Sequence, residues 1–238
     1  VAARTTESGW KEAPRLKDMT EIRFGQSTCQ IAGTIVPSVE IDLAAGDEVY
    51  FEHHVLLWKE SEVPIRSLPL RGVIKRTFAG MPFVVSAAYG EGRAAFSRDA
   101  TGEVVVLPLQ PDMEIDVREH AFLLASSEIE YTYVLIQGLR PVARGALGVY
   151  MDRFWTRTEP GILFLHGYGN VFEKTLAPND EILLEPGAFL YKDASVKMEA
   201  EMRTLPNGLR GGVPLNLLCM TGPGRVGIQS MYFGGHRL

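Results

Sequence analysis

The sequence predicts an all-β domain of antiparallel sheets built from three internal repeats, and two observations carry that reading. A seven-residue stretch recurs without gaps: Leu43-Ala44-Ala45-Gly46-Asp47-Glu48-Val49, Leu109-Gln110-Pro111-Asp112-Met113-Glu114-Ile115 and Leu176-Ala177-Pro178-Asn179-Asp180-Glu181-Ile182, spaced by 66 and 67 residues. A second landmark follows each copy, as Leu70-Arg71-Gly72, Leu139-Arg140-Pro141 and Leu209-Arg210-Gly211. Repetition at a fixed period marks one supersecondary unit copied along the chain, each copy burying its apolar face against its neighbours. A unit this short has little core of its own, so the 238 residues read as one domain rather than two. The expected organisation is an N-terminal extension over 1–28 and a single β domain over 29–238, with repeats at about 40–105, 106–172 and 173–235.

Taken in order, residues 1–20 mix charges of both signs without periodicity and read as an extension held to the body by Trp10. Strand character begins at Cys29, and Val39-Glu40-Ile41-Asp42-Leu43 alternates strictly, as a half-buried strand does. Each repeat then shows two apolar runs separated by two residues: 48–52 with 55–58, 114–118 with 121–124, and 181–185 with 188–191. In the third copy the separating pair is Pro186-Gly187, the signature of a type II turn with Gly187 at positive φ. These pairs are expected to be hairpins, with Leu57, Leu123 and Leu190 equivalent and buried. A second hairpin is expected around Gly90-Glu91-Gly92, Glu159-Pro160-Gly161 and Gly222-Pro223-Gly224, which brings the core to about a dozen strands. Helix signals are scarce. The connectors Pro64 to Ala79 and Leu139 to Tyr150 have room for a short turn of helix each.

Composition narrows the function. A net charge of −5 and a pI near 5.6 disfavour a dedicated nucleic-acid binder, which needs a basic footprint. No apolar run approaches the roughly 18 residues of a membrane-spanning helix. Cys29 and Cys219 have no metal-ligand spacing and read as two buried thiols in a reducing compartment. The chain opens on Val1, and a polar stretch to Thr20 carries no secretory signal, so the expected location is cytoplasmic, or mitochondrial if an upstream targeting segment has been removed.

The run Glu185-Pro186-Gly187-Ala188-Phe189-Leu190-Tyr191, with Met198-Glu199 and Thr221-Gly222-Pro223-Gly224-Arg225-Val226 after it, resembles the altered-inheritance-of-mitochondria protein twenty-four family. The resemblance runs from about Cys29 to Tyr232 and is strongest in the third repeat. It implies internal pseudo-threefold symmetry, of a β-prism or double-stranded-β-helix kind, with a sheet layout similar to the tryptophan RNA-binding attenuation protein. It also implies a link, through fungal relatives, to organisation of the mitochondrial inner membrane. It supplies no catalytic residues to carry over. The chain departs from the pattern where His53-His54 and Glu119-His120 replace the Pro-Gly pair.

Five histidines give the first candidates for chemistry. His54 and His120 align with Gly187, and three equivalent positions about a pseudo-threefold axis could converge, although the plain turn explanation is the favoured one. Two imidazoles with Glu52, Glu119 or Glu185 form a conceivable metal set. The competing explanation is a turn position in the left-handed region, which the aligned glycine already accounts for. A cupin-like centre is disfavoured because adjacent residues such as His53 and His54 point to opposite faces of a strand. His166, in an apolar strand, reads as a hydrogen-bonded core residue, and His236 has no local context. Glu48, Glu114 and Glu181 recur on the polar phase of one strand and read as a solvated face rather than an acid–base pair. Gly222-Pro223-Gly224-Arg225 reads as a turn.

The sequence therefore points to a non-enzymatic scaffold or interaction protein without a cofactor, a protein partner or self-association being expected and peripheral membrane contact allowed. His54, His120 and Glu185 are the candidate ligand or interaction residues, with no catalytic residue and no metal ligand assigned. The alternative is a small-molecule or metal-binding β domain with some enzymatic activity. A homo-oligomer or a stable hetero-complex is expected, with the second-repeat aromatics Tyr131, Tyr133, Tyr150, Phe154 and Trp155 as its contact region.

Overall fold

The computed structural model describes residues 5–12, 21–67, 85–136, 150–206 and 212–231. Three strands precede the repeats: β1 (Lys11–Glu12), β2 (Ile22–Phe24) and β3 (Ser27–Ala32). The first repeat holds β4 (Ser38–Leu43), β5 (Glu48–Glu52), β6 (Leu56–Lys59), β7 (Ile65–Ser67), β8 (Val85–Tyr89) and β9 (Gly92–Ser97). The second holds β10 (Gly102–Leu109), β11 (Glu114–Arg118), β12 (Phe122–Ser126), β13 (Glu130–Leu135), β14 (Tyr150–Trp155) and β15 (Gly161–Tyr168). The third holds β16 (Val171–Leu176), β17 (Glu181–Leu184), β18 (Phe189–Asp193), β19 (Lys197–Pro206), β20 (Gly212–Thr221) and β21 (Gly224–Gln229). The protein is all-β and every strand pair is antiparallel, as expected.

The recurring heptapeptide is a turn with one geometry in all three places. Asp47, Met113 and Asp180 each donate their backbone N–H to the carbonyl three residues earlier, at 3.1, 3.1 and 3.0 Å. The third residue of each turn has positive φ: Gly46 at 96°, Asp112 at 73° and Asn179 at 68°. Gly, Asp and Asn are the residues that tolerate this region, and Pro111 and Pro178 preset the position before it.

The strands pair in a way the turns do not suggest. The expected hairpins do not form, because β5 pairs with β8 and β12 while β6 pairs with β9. The same exchange separates β11 from β12 and β17 from β18. The reason lies at the corners. His53–Val55 and Pro186–Ala188 are single turns of 3-10 helix, and His120 takes a φ of 64°. Each throws the chain out of its sheet instead of folding it back. Gly187 is thus not the left-handed residue of a type II turn; it sits in a 3-10 turn stapled by Glu185, whose carboxylate accepts from the Gly187 and Ala188 N–H groups. The second set of expected hairpins, β8 with β9, β14 with β15 and β20 with β21, is likewise split between sheets. Consecutive strands that do pair are β2–β3, β3–β4, β7–β8, β13–β14 and β19–β20.

Four sheets result. Their orders are β2-β3-β4-β9-β6, β10-β15-β12-β5-β8-β7, β1-β16-β21-β18-β11-β14-β13 and β17-β20-β19. They stack as layers in that order, because alternate residues of the two large sheets feed different cores. Val104 and Val106 join Ile41, Leu43 and Phe96 of the first sheet, whereas Val105 and Leu107 join Ile115, Phe154 and Leu190 of the third. A third core, with Phe189, Val226, Leu218 and Met220, lies between the third sheet and the fourth.

Leu123 and Leu190 are fully buried as expected, but Leu57 is 60% exposed, since among the described residues no layer covers β6 on that side. Phe154 is a core residue, with its ring 5.1 Å from both Phe122 and Tyr131, so it is not a surface aromatic. Cys29 is buried and Cys219 half-buried, both as free thiols. Trp10 packs on the third core, with the Lys174 ammonium 5.9 Å from its ring and bonded to Ser8 O at 2.6 Å. The first connector opens with β7; its remainder, most of the second connector and all three Leu-Arg landmarks lie outside the described residues.

Two glycine substitutions separate backbone from packing effects. Gly46→Ala meets nothing within 4 Å and carries only its φ penalty, about 1 kcal/mol. Gly102→Ala drives a methyl group into the Gly167 carbonyl of the neighbouring strand and is expected to cost at least about 3 kcal/mol. Urea midpoints for the two variants measure the difference.

Candidate functional site

Glu52 and Arg118 end the first strand after their repeated turns and Glu185 directly follows β17, one aligned position in three copies. Because the chain leaves its sheet there, the side chains of Glu52 and Arg118 reach the corner of the next copy, whereas Glu185 caps its own corner. Arg118 reaches forward to the third-repeat corner, donating to Gly187 O at 2.8 Å and to Pro186 O and Phe189 O at 3.4 Å. Gln229 Nε2 shares the Gly187 carbonyl at 3.0 Å.

Glu52 does the corresponding work toward the second-repeat corner. Its carboxylate is 2% exposed and faces three cationic or titratable groups. Arg98 Nη2 donates to it and also to Phe122 O at 2.9 Å. His54 Nε2 lies 2.9 Å from Oε1, and His120 Nδ1 stands 3.8 Å from the same oxygen. Burial by itself would raise the carboxyl pKa, yet the polar hydrogens of His120 and the charge and hydrogen bond of Arg98 prevail and hold Glu52 at about 2. The carboxylate in turn raises the His120 imidazole above its ordinary value. His54 and His120 therefore do converge, but on Glu52. Glu185 is not with them, being occupied with its own corner amides.

Arg98 was not legible as part of this cluster; nothing in its local sequence marks it. Neither was the bridging role of Glu52 and Arg118, although the aligned position was there to be read. Beside the cluster lies His166, 1% exposed, whose Nε2 donates to Ala100 O at 3.2 Å while Nδ1 has no hydrogen-bond partner. Burial, with the nearby Arg98 charge, lowers its pKa to about 4, so the ring is neutral in the fold.

A second buried charge cluster centres on Asp116, 1% exposed, in β11. It faces Arg153 across one strand boundary, at 2.6 and 3.0 Å, and Lys192 across the other, at 2.7 Å. Burial opposes its ionisation, and the two cations overcome that and lower its pKa. The recurring Glu48, Glu114 and Glu181 sit at the surface, against Arg66 at 2.6 Å, Arg153 at 3.3 Å and the Thr221 hydroxyl at 3.4 Å. Arg225 of the Gly-Pro-Gly-Arg turn is held by Asp193, through its backbone N–H at 2.7 Å and its guanidinium at 2.9 Å. Among the described residues no group of three or more His, Cys, Asp or Glu is placed to hold a metal ion.

Two measurements probe the cluster. Arg98→Met leaves Glu52 buried without its closest cation and is expected to cost about 3–5 kcal/mol at neutral pH, with Arg98→Met/Glu52→Gln recovering much of the loss. The second uses pH. The unfolded chain protonates His166 near 6.5 and the folded chain only near 4, so the stability that His166 contributes at neutral pH is lost as pH falls through that window. Denaturation midpoints of His166→Gln should fall less steeply than wild type between those values.

The geometry has counterparts among known proteins. The crystal structure of protein SPYM3_0169 from Streptococcus pyogenes is similar, with a TM-score of 0.66, 19% identity, and coverage of 87% of this chain and 94% of that one. That likeness shows the fold. None of the curated proteins compared with the chain matches it. The family model described as mitochondrial biogenesis AIM24 matches residues 29–231, and the chain belongs to that family.

Proposed function

We propose that the protein is a non-enzymatic interaction or scaffold protein, working through its surfaces in the organisation of a larger assembly. The observation that carries this reading is where its buried polar groups are used. Glu52, Arg98, Asp116, Lys192 and Arg118 all bind across strand or repeat boundaries, with partners inside the chain. A buried ionisable group aimed at an open cleft is the usual mark of acid–base chemistry, and these are aimed at one another. The family's description, mitochondrial biogenesis, suits a role in assembly. A cytoplasmic or mitochondrial setting also suits the free thiols of Cys29 and Cys219.

The competing reading is a metal site at His54, His120 and Glu52, favoured by their convergence. Against it, Glu52 is already neutralised by Arg98, whose fixed positive charge opposes a second cation in the same place. Metal analysis of protein purified without chelators or a nickel column decides between them. The expected result is no stoichiometric transition metal, and an unchanged far-ultraviolet spectrum for His54→Ala/His120→Ala. A stoichiometric metal lost in that double variant would overturn the scaffold reading.

A further inference from the structure

We infer that the chain assembles head to tail, β6 of one copy adding antiparallel to β17 of a second copy. The two large sheets show the rule. Each holds three strands from one repeat, such as β10-β15-β12, continued by three from the repeat before it, such as β5-β8-β7, and the larger sheet adds β1 at its far edge. The joins are β12 on β5 and β18 on β11, and they share one register: Leu124 opposite Phe51 and Ala125 opposite Tyr50 in the first, Tyr191 opposite Val117 and Lys192 opposite Asp116 in the second. The two end sheets are halves of the same object. The sheet β2-β3-β4-β9-β6 stops at β6, where a preceding repeat would continue it. The sheet β17-β20-β19 starts at β17, where a following repeat would join. Among the described residues neither edge has a strand beyond it.

Side chains support the match. β6, β12 and β18 carry a register shift at one equivalent place, around Leu57, Leu123 and Leu190. Leu123, Leu124, Leu190 and Tyr191, which sit at the two formed joins, are all 0% exposed. Their counterparts at the open edge, Leu57 and Trp58, are 60% and 41% exposed. Transferring the shared register puts Trp58 opposite Leu184 and Lys59 opposite Leu183. It also sets Glu185 of one copy toward His54 of the next, the arrangement that Glu52 and His120 already show at 3.8 Å within the chain.

The partner is a second copy rather than the same chain, because the half-sheets lie at opposite ends of the stack with two full layers between them. Each copy uses one edge of each kind, so the contact is heterologous and closes into a ring or extends as a filament. An exposed strand edge left open is an aggregation hazard, and this pairing removes both. The contact lies in the first and third repeats, not among the aromatics of the second. The inference gives the interaction reading a definite partner, yet its test is independent of the metal analysis.

Light scattering behind a sizing column, at tens of micromolar, should give a multiple of the 26.3 kDa chain mass for wild type. Leu57→Glu and Leu183→Glu should each reduce it to the single-chain mass, with circular dichroism confirming that the variants stay folded. In a Cys219→Ser background, Lys59→Cys protein mixed with Leu183→Cys protein should give a two-chain product with a short thiol cross-linker, and neither sample alone should. Three results would overturn the inference. The first is a wild-type monomer, and the second is a multimer that neither glutamate changes. The third is a Lys59→Cys/Leu183→Cys chain that links only within itself.

Discussion

The fold depends on the corner that follows the repeated turn. At Glu52, Arg118 and Glu185 the chain is turned out of its sheet within three residues, so the strands on either side of a corner cannot belong to the same layer. Every other feature follows from that. Each complete layer must be half one repeat and half the next, no repeat can close a core by itself, and the corner residue is carried to the boundary where two repeats meet. The amides and carbonyls exposed at a corner need partners; at the third corner the preceding repeat supplies Arg118 and the same repeat supplies Gln229.

The buried charges belong to the same logic. Glu52 with Arg98, and Asp116 with Arg153 and Lys192, link segments 37 to 76 residues apart. Replacing such pairs with well-packed apolar side chains is commonly neutral or even stabilising by about 1–4 kcal/mol, so their presence is weakly explained by stability. They do fix register. A slip of one residue between β11 and β18 moves Asp116 from Lys192 to an uncharged or like-charged neighbour and leaves the buried carboxylate with Arg153 as its remaining cation.

Much of the architecture was legible in the sequence, and what was missed has a common cause. The phase of each strand is a local property, legible from alternation; the left-handed position at Asp112 and Asn179 is just as local, but it was expected at Gly187 and its counterparts instead. Pairing is not local. Pro186-Gly187 looks like a hairpin turn in any short window, and only Glu185 beside it, capping two amides, converts it to a corner. The candidate site fared the same way. His54 and His120 were found because they align with one another, whereas Arg98 was missed because its partner stands 46 residues away. Leu57 was expected to be buried because its two counterparts are, and no local pattern marks it as lying at an end.

The exchange of strands between layers also sets the order in which the molecule can form. Strand β5 waits for β12, and β11 for β18, so the contacts that complete a layer span one full repeat. Contacts of such separation are slow to form, because a long loop must close before they return any energy, and β domains of this kind fold in milliseconds to seconds. On the ribosome the first repeat therefore emerges with a strand edge that only the second can cover, and the second waits on the third. The interval between synthesis of one repeat and the next is a time when unpaired edges are exposed, and it is then, rather than in the finished fold, that the chain is most exposed to mispairing with a neighbour.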